Sequence, residues 1–373
     1  MVNNLFEDLR DTQIIVDTAK IGKNMTLIKD MVGEDVEVMA VIKANGYGHG
    51  AVGIAPVLME AGAYALAVAT LTEALELKEA YPEYPVFIMG HTPDRLLHYV
   101  VEKDIIQTVF SLEQVEKLGE LATRAGKTVT VHVKLDTGFH RLGQMPTKEY
   151  KEEVCKMFDV AGIKVDGIFS HLALVNDEEN KKQYDLMCQF IDEIESGGFE
   201  FKFKHIADSI ATVDYPEYRM NMVRAGALIY GMRGFHKGFL EVEQAMIFRT
   251  CISQLHEIKA GEGVSYDYLW KADVDSVVAT LPFGYADGYP RNLRDKGYVI
   301  INGKKAPIVG VICMDQCICD VTGIENVKVG TEAIIYGDGK DGSMTIEEAS
   351  KLSGTNKNDI IARFPQRPLR KYI

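Results

Sequence analysis

The chain has 373 residues, 47% of them hydrophobic and 25% charged, enough apolar material for two domains or for a large barrel with an appendage. A formal net charge of −13 excludes a nucleic-acid partner, which requires a basic face to neutralise phosphates, but leaves room for a small anionic ligand held by a few local donors. The first ten residues, M-V-N-N-L-F-E-D-L-R, carry no basic segment followed by an apolar one, and no apolar run reaches the roughly 18 residues that a membrane span needs; the expectation is a cytoplasmic protein with no membrane partner.

In chain order, residues 12–16 have a strand pattern and residues 18–32 an amphipathic helical one. Apolar runs then recur at 38–42, 63–67, 86–89, 105–110, 129–135, 165–169, 203–206 and 221–223. Segments with helical spacing lie between them, at 49–61, 71–80, 93–102, 112–124, 147–158, 178–196 and 209–214. Short apolar strands alternating with helices predict a parallel sheet with crossover helices, and eight such units predict a closed (β/α)8 TIM barrel. An open doubly wound sheet is the structural alternative. After about residue 230 the pattern becomes strands at 244–258, 276–281, 298–301, 306–311, 317–321 and 332–336, punctuated by N-G and D-G turns, with one clear helix at 346–352. The expected division is a barrel over 11–240 and a mostly β domain over 241–373 together with residues 1–10.

In a barrel the chemistry belongs at the C-terminal ends of the strands. Lys43 ends the first strand, in A-V-I-K-A-N-G-Y-G-H-G. Asp136 and Arg141 follow the fifth, His171 the sixth, His205 and Ser209 the seventh, and Arg224 ends the eighth. Any one of these is explained by a solvated charge or a satisfied core histidine; five strand ends delivering ionisable groups to one face point to an active site. Ser209 at the start of a helix, Gly226 and Tyr47 suggest a phosphate subsite, against the plainer reading of Ser209 as a helix cap. Of the six cysteines, Cys313, Cys317 and Cys319 crowd into C-M-D-Q-C-I-C. No second C-x-x-C pair or nearby histidine completes a zinc set, so buried thiols are expected and no metal.

These motifs, with G-V-S-Y-D-Y, F-G-Y-A-D-G-Y-P-R and R-A-G-A-L-I-Y-G following in order, make the sequence resemble the alanine racemases over essentially its whole length. The resemblance implies pyridoxal 5'-phosphate as cofactor, carried by Lys43, and a homodimer that shares its active sites. It implies that Lys43 acts as base on one face of the substrate and Tyr266, from the partner subunit, on the other. Tyr47, Ser209, Gly226 and Ala227 are implied to hold the phosphate, His171 to lie against the pyridine ring and Arg224 to bond its nitrogen. Arg141 and the Met314 N–H are implied for the substrate carboxylate, with Asp315 beside it. Lys134 matches a lysine often carbamylated in the family, and His205 is assigned as support for Tyr266. An arginine at the ring nitrogen stays protonated and so keeps that nitrogen unprotonated, favouring proton transfer over decarboxylation.

The surroundings depart from the family. Asp208 replaces the usual asparagine, Ala227 a larger aliphatic, Asn176 an aspartate and Val311 an arginine of the approach channel, whereas Tyr285 and Arg291 of that channel are kept. Gln366 is aligned with a tyrosine that lines the pocket. The expected function is racemisation of alanine, with a racemase of serine or a broader range of amino acids as the alternative. The different-class alternative is a non-catalytic pyridoxal-phosphate carrier.

Overall fold

The computed structural model describes residues 9–373; residues 1–8, part of the segment expected to join the second domain, lie outside the described residues. Eight parallel strands form the first sheet: Glu37–Val41, Ala65–Val68, Val86–Ile88, Ile106–Val109, Val129–Lys134, Ile163–Phe169, Phe203–His205 and Met222–Ala225. The first seven pair in sequence, and the eighth returns to the first with Glu37 opposite Met222. That closure excludes the open doubly wound alternative. The strands read as continuous apolar runs because both of their faces are covered.

The barrel is nearly closed. Between the seventh and eighth strands the ladder is replaced by a bond from Arg224 N to Ala207 O (3.1 Å) and by the Asn221 side chain, which accepts from Lys204 N and donates to Lys202 O, both at 2.7 Å. The seam therefore loosens where Arg224 and Ser209 must face the barrel mouth.

Six of the helices of the first domain start where the sequence offers a side-chain cap. Asp17, Ser111, Thr147, Asn176 and Asp208 each accept from an N–H of the first turn, and Thr70 and Glu73 form a reciprocal capping box.

The second domain has a six-stranded sheet in the order Lys304–Pro307, Tyr298–Ile301, Glu332–Tyr336, Met246–Cys251, Gln13–Val16, Leu369–Tyr372, and a three-stranded one of Gln254–Ile258, Ser276–Leu281 and Cys317–Asp320. Strand Gln13–Val16, which a division at residue 11 gives to the barrel, is hydrogen-bonded antiparallel to Met246–Cys251 and parallel to Leu369–Tyr372. Its place in the β domain is set by partners more than 200 residues away. Strand Leu369–Tyr372 and helix Lys357–Ala362 were not among the expected elements.

The turn after Lys43 is where the two domains meet. Ala44, Asn45, Gly46 and Tyr47 all have positive φ, between 51° and 61°, forming one turn of left-handed helix. Each non-glycine residue there costs roughly 1–2 kcal/mol, so the turn must be held from outside. Glu73 accepts from Ala44 N (2.6 Å), Ala69 N (2.8 Å) and Thr70 N (3.1 Å). Asn45 Oδ1 accepts from Ala51 N at 2.9 Å. From the second domain, Arg370 Nε donates to Gly48 O at 3.0 Å while its Nη atoms bond the carbonyls of Phe364, Pro365 and Pro368.

Gly48 has φ +80°, and a Cβ there would sit 2.5 Å from Ile361 O. Gly48→Ala should therefore lower unfolding stability by at least ~1 kcal/mol from the backbone alone, with more from the clash. A urea denaturation midpoint equal to that of the unaltered protein would refute the seating of the C-terminal segment on this turn.

Candidate active site

A cavity of about 570 Å³ opens at the C-terminal end of the barrel, within the range of small-molecule sites. Its walls include Lys43, Tyr47, Lys134, Arg141, His171, Ser209, Arg224, Gly226 and Ala227, so nine of the expected residues converge there.

Lys43 stands at the mouth of the first strand. Burial, then the Arg141 guanidinium, lowers its pKa, with Glu73 acting in the opposite sense. The same causes that disfavour the ammonium favour the free amine that a base requires.

Arg224 is buried, and its guanidinium is bonded on nearly every side. Nη1 reaches His205 Nδ1 (2.8 Å) and His205 O (3.2 Å); Nη2 reaches Ser170 O (2.9 Å), Ile206 O (3.1 Å) and His171 Nδ1 (3.3 Å). None of these bonds uses Nε, which is left as the donor for whatever occupies the cavity. Burial lowers the Arg224 pKa to about 10, so it remains a cation at neutral pH.

His205, which the resemblance assigns as support for Tyr266, has bonds of its own to Arg224 and His132. It is fully buried inside the barrel, where its Nε2 meets His132 Nδ1 at 2.9 Å and its ring stacks on Phe169 at 4.9 Å. Its partner is Arg224. Burial first, and the Arg224 charge second, hold both His205 and His171 in the neutral form.

Asp208, not Ser209, caps the helix Ser209–Asp214, accepting from Ile210 N and Ala211 N at 3.0 Å. That frees Ser209, whose Oγ accepts from Gly226 N at 2.8 Å and so directs its own O–H elsewhere. A Cβ on Gly226 would come within 2.8 Å of the Tyr47 hydroxyl, so only glycine lets these groups crowd into one cradle. Burial raises the Tyr47 pKa to about 12, which keeps it a donor.

Asp136 Oδ1 accepts from Gly138 N, Phe139 N and His140 N, fixing the turn that carries Arg141. The Arg141 guanidinium lies 4.4 Å from the centre of the Phe139 ring, and Phe139 in turn contacts His171 at 5.0 Å. Lys134 Nζ bonds Leu135 O at 2.6 Å, and burial, then Arg224, lowers its pKa to about 7.

The remaining expected residues do not line this cavity. Tyr266 is 67% exposed and Met314 52%, on the outer face of the second domain; they share a surface hollow with Asp315. Neither the Tyr266 hydroxyl nor the Met314 N–H bonds another described residue. Asp315 pairs with Arg367 at 2.6 Å. Tyr266, Val311 and Arg291 line a second hollow nearby, and the Arg291 guanidinium lies over the Tyr285 ring at 5.5 Å. Asn176 is the exposed N-cap of helix Asp177–Glu195, accepting from Glu179 N at 2.8 Å.

Gln366 is exposed and does not line the cavity of its own chain. Lys357 and Asn358 line it instead. Sequence reasoning missed both because they sit on a short second-domain helix that reaches the barrel only through the fold. Cys317 and Cys319 are buried thiols on the strand Cys317–Asp320.

The donor set suits a phosphorylated aromatic aldehyde bound through an amine. There is a partly buried lysine with a lowered pKa, an arginine on the cavity wall whose Nε takes part in none of its bonds, an imidazole beside it, and a hydroxyl–glycine cradle.

Comparison with known proteins agrees with this geometry. Residues 16–234 match the family described as "Alanine racemase, N-terminal domain" and residues 245–372 "Alanine racemase, C-terminal domain". The alanine racemase of Clostridium tetani is 38% identical over 99% of this chain and 97% of that protein, and that of Methanococcus maripaludis 36% over 96% and 97%. Among solved structures, the alanine racemase of Clostridium difficile superposes with a TM-score of 0.94 at 33% identity, covering 98% of this chain and 96% of that one. The Bacillus anthracis alanine racemase with bound L-Ala-P gives 0.91 at 31% identity, covering 98% and 95%. With both domains matched in order and full-length relatives on every side, the chain belongs to the alanine racemase family.

Proposed function

We propose that the protein interconverts L- and D-alanine, with pyridoxal 5'-phosphate held in the barrel-mouth cavity and two bases, Lys43 and the partner subunit's Tyr266, on opposite faces of the α-carbon. The observation that carries this reading is the placing of Lys43 and the buried Arg224 cation in one cavity. The cofactor, when bound, supplies an electron sink that makes the α-proton of an attached amino acid acidic. Everything else falls to the chain's own residues.

Tyr47 and Ser209 hydroxyls, with the Gly226 and Ala227 backbone, would hold the phosphate; Arg224 Nε would donate to the ring nitrogen. Because Arg224 stays charged, it gives a proton-sharing bond without surrendering its proton, and the ring remains a modest electron sink suited to reversible proton transfer. Lys43 Nζ takes or returns the α-proton on its own face. The Tyr266 oxygen of the partner subunit does so on the other. Arg141 and Met314 N–H would fix the carboxylate, so that the α-hydrogen points at one base and the opposite face of the α-carbon lies open to the other.

Lys134, with burial and Arg224 lowering its pKa to about 7, has a substantial share of free amine at neutral pH and is suited to attack carbon dioxide. A new N–C bond forms, one proton is lost, and the resulting carbamate anion faces Arg141. The barrel-only architecture of a non-catalytic carrier leaves unexplained the β domain that presents Tyr266 and Met314.

Lys43→Ala should abolish the visible absorbance of lysine-bound cofactor, whereas Tyr266→Phe should keep it and lose racemisation in both directions. Full activity in Tyr266→Phe would exclude the two-base assignment. The carbamate is checked by ¹³C NMR in labelled bicarbonate, where one resonance should appear and should vanish in Lys134→Ala; an unchanged spectrum would remove the carbamate.

A broader substrate range rests on Val311 and Asn176, which leave the approach channel with fewer charges than relatives carry. A hydrophobic pocket discriminates against an added hydroxyl by only about 10²-fold. Comparing kcat/KM for L-alanine, L-serine and L-lysine should rank alanine first, with measurable serine turnover. Complete silence toward serine would end the broader reading.

A further inference from the structure

The end of the cavity that the phosphate is proposed to occupy holds two charges of opposite sign, not paired with each other, that those contacts leave unused. Lys357, the first residue of the six-residue helix Lys357–Ala362, enters the cavity from the second domain beside Asn358. Its ammonium donates to Arg233 O, on the loop that follows the last barrel strand. A Cβ built on Gly234 would lie 2.5 Å from Lys357 Nζ and 3.6 Å from Ile210 Cδ1, and Ile210 directly follows Ser209. Lys357 is thus at the Ser209 end, not the Lys43 end.

Asp208 belongs to the same neighbourhood. Its carboxylate acts on Lys357, second to that of Glu347, and also on Tyr47 and Lys43. No carboxylate among the described residues comes within ion-pair distance of Lys357. The result is a half-buried ammonium without a direct counter-ion, facing a cavity whose other polar groups at that end, the Tyr47 and Ser209 hydroxyls and the backbone of Gly226 and Ala227, are all neutral.

We propose that Lys357 is the charge partner of the bound phosphate, delivered across the domain boundary, and that Asp208 is the like charge it offsets. The inference rests on the reading that the cavity holds pyridoxal phosphate. A phosphate dianion beside a carboxylate in a partly desolvated site is repelled unless a cation stands nearby. Neutral hydroxyl and amide donors do not cancel that repulsion; an ammonium does. One of the three Lys357 donors is used by Arg233 O, which aims the side chain and leaves two for phosphate oxygens. Cofactor affinity is thereby tied to docking of the second domain.

The test is titration of the full-length apoprotein with pyridoxal phosphate and, separately, with pyridoxal, which lacks the phosphate, following the visible band of the lysine-bound aldehyde. Lys357→Met keeps the methylene stem and removes the charge. It should raise Kd for pyridoxal phosphate about tenfold or more while leaving that for pyridoxal nearly unchanged. Asp208→Asn keeps a cap on helix Ser209–Asp214 and should tighten pyridoxal phosphate; combined with Lys357→Met it should recover part of the loss.

Unchanged affinity for pyridoxal phosphate in Lys357→Met would overturn the proposal. So would equal weakening of both ligands, which would mean that Lys357 only clips the Arg233 loop in place. Should the unaltered apoprotein bind neither ligand, the cofactor reading itself fails, and that result is distinct because it precedes any substitution.

Discussion

The Arg224 guanidinium is a cation sealed in the barrel without a carboxylate partner within ion-pair reach among the described residues. Burying an unpaired charge costs several kcal/mol even after relaxation, and the neighbouring groups answer that cost through hydrogen bonds alone. Three carbonyls and two imidazoles accept from it. An imidazole accepts only when neutral, so His205 and His171 must not be protonated, and burial together with Arg224 itself ensures this. The tautomers follow in order. Arg224 donates to His205 Nδ1, so His205 Nε2 carries the hydrogen and donates to His132 Nδ1. His132 Nε2–H is then the donor left buried without a partner. One orphaned N–H deep in the barrel is the residual cost of holding this arginine by neutral acceptors alone. A carboxylate in place of His205 would satisfy the charge more cheaply but would lend the site a negative group, changing how the guanidinium polarises whatever it meets.

The second constraint is the left-handed turn after Lys43. It places the lysine at the cavity and swings Tyr47 back toward Gly226, a reversal that a right-handed helix start would not produce. Its strain is opposed by Glu73 within the barrel and by Arg370 and the Ile361–Phe364 region from the second domain. The barrel therefore does not hold its own lysine unaided. With strand Gln13–Val16 lying in the β sheet before the barrel begins, the chain enters and leaves through the second domain, and the two units clasp the site between them.

Much of this arrangement was legible in the sequence where the signal is local. Helix limits at 18–32, 71–80, 112–124 and 209–214 coincide with the structure because Asp17, Thr70, Ser111 and Asp208 write the start of each helix beside it. Strand-end placement of Lys43, His171 and Arg224 followed from the parallel pattern, since every strand of a barrel points its C-terminal end to one face. What failed was non-local. Residues 369–372, L-R-K-Y, have no apolar alternation and become a strand only because Gln13–Val16 offers an edge. His205 lies at a strand end, but its ring points into the barrel interior against Phe87 and Phe169, so proximity to the mouth did not give its partner. Gln366 and Asn358 are eight residues apart on a segment whose register against the cavity depends on how the helix Lys357–Ala362 docks, and that is invisible to spacing.

The strain around Tyr266 is the remaining clue to how a whole site is built. Ser265 has φ 67° and ψ −169°, a region almost confined to glycine, and Asp267 and Tyr268 also have positive φ. Ser265 Oγ is anchored to Val311 O at 2.8 Å, so the distortion is held in place. It thrusts Tyr266, Tyr268 and Leu269 outward, next to Met314, as an exposed apolar group on the second domain. A monomer gains nothing from strain that exposes aromatics. The proposed two-fold dimer would, because an isologous contact would let each copy donate this surface and receive its twin. In the proposed dimer each chain would hold one base in its barrel and lend the other, so that the two faces of a substrate would be served by different subunits. The rigidity of the strained turn is what makes such lending workable: a base supplied across an interface must arrive with its direction already set, because the receiving barrel has no covalent means of correcting it.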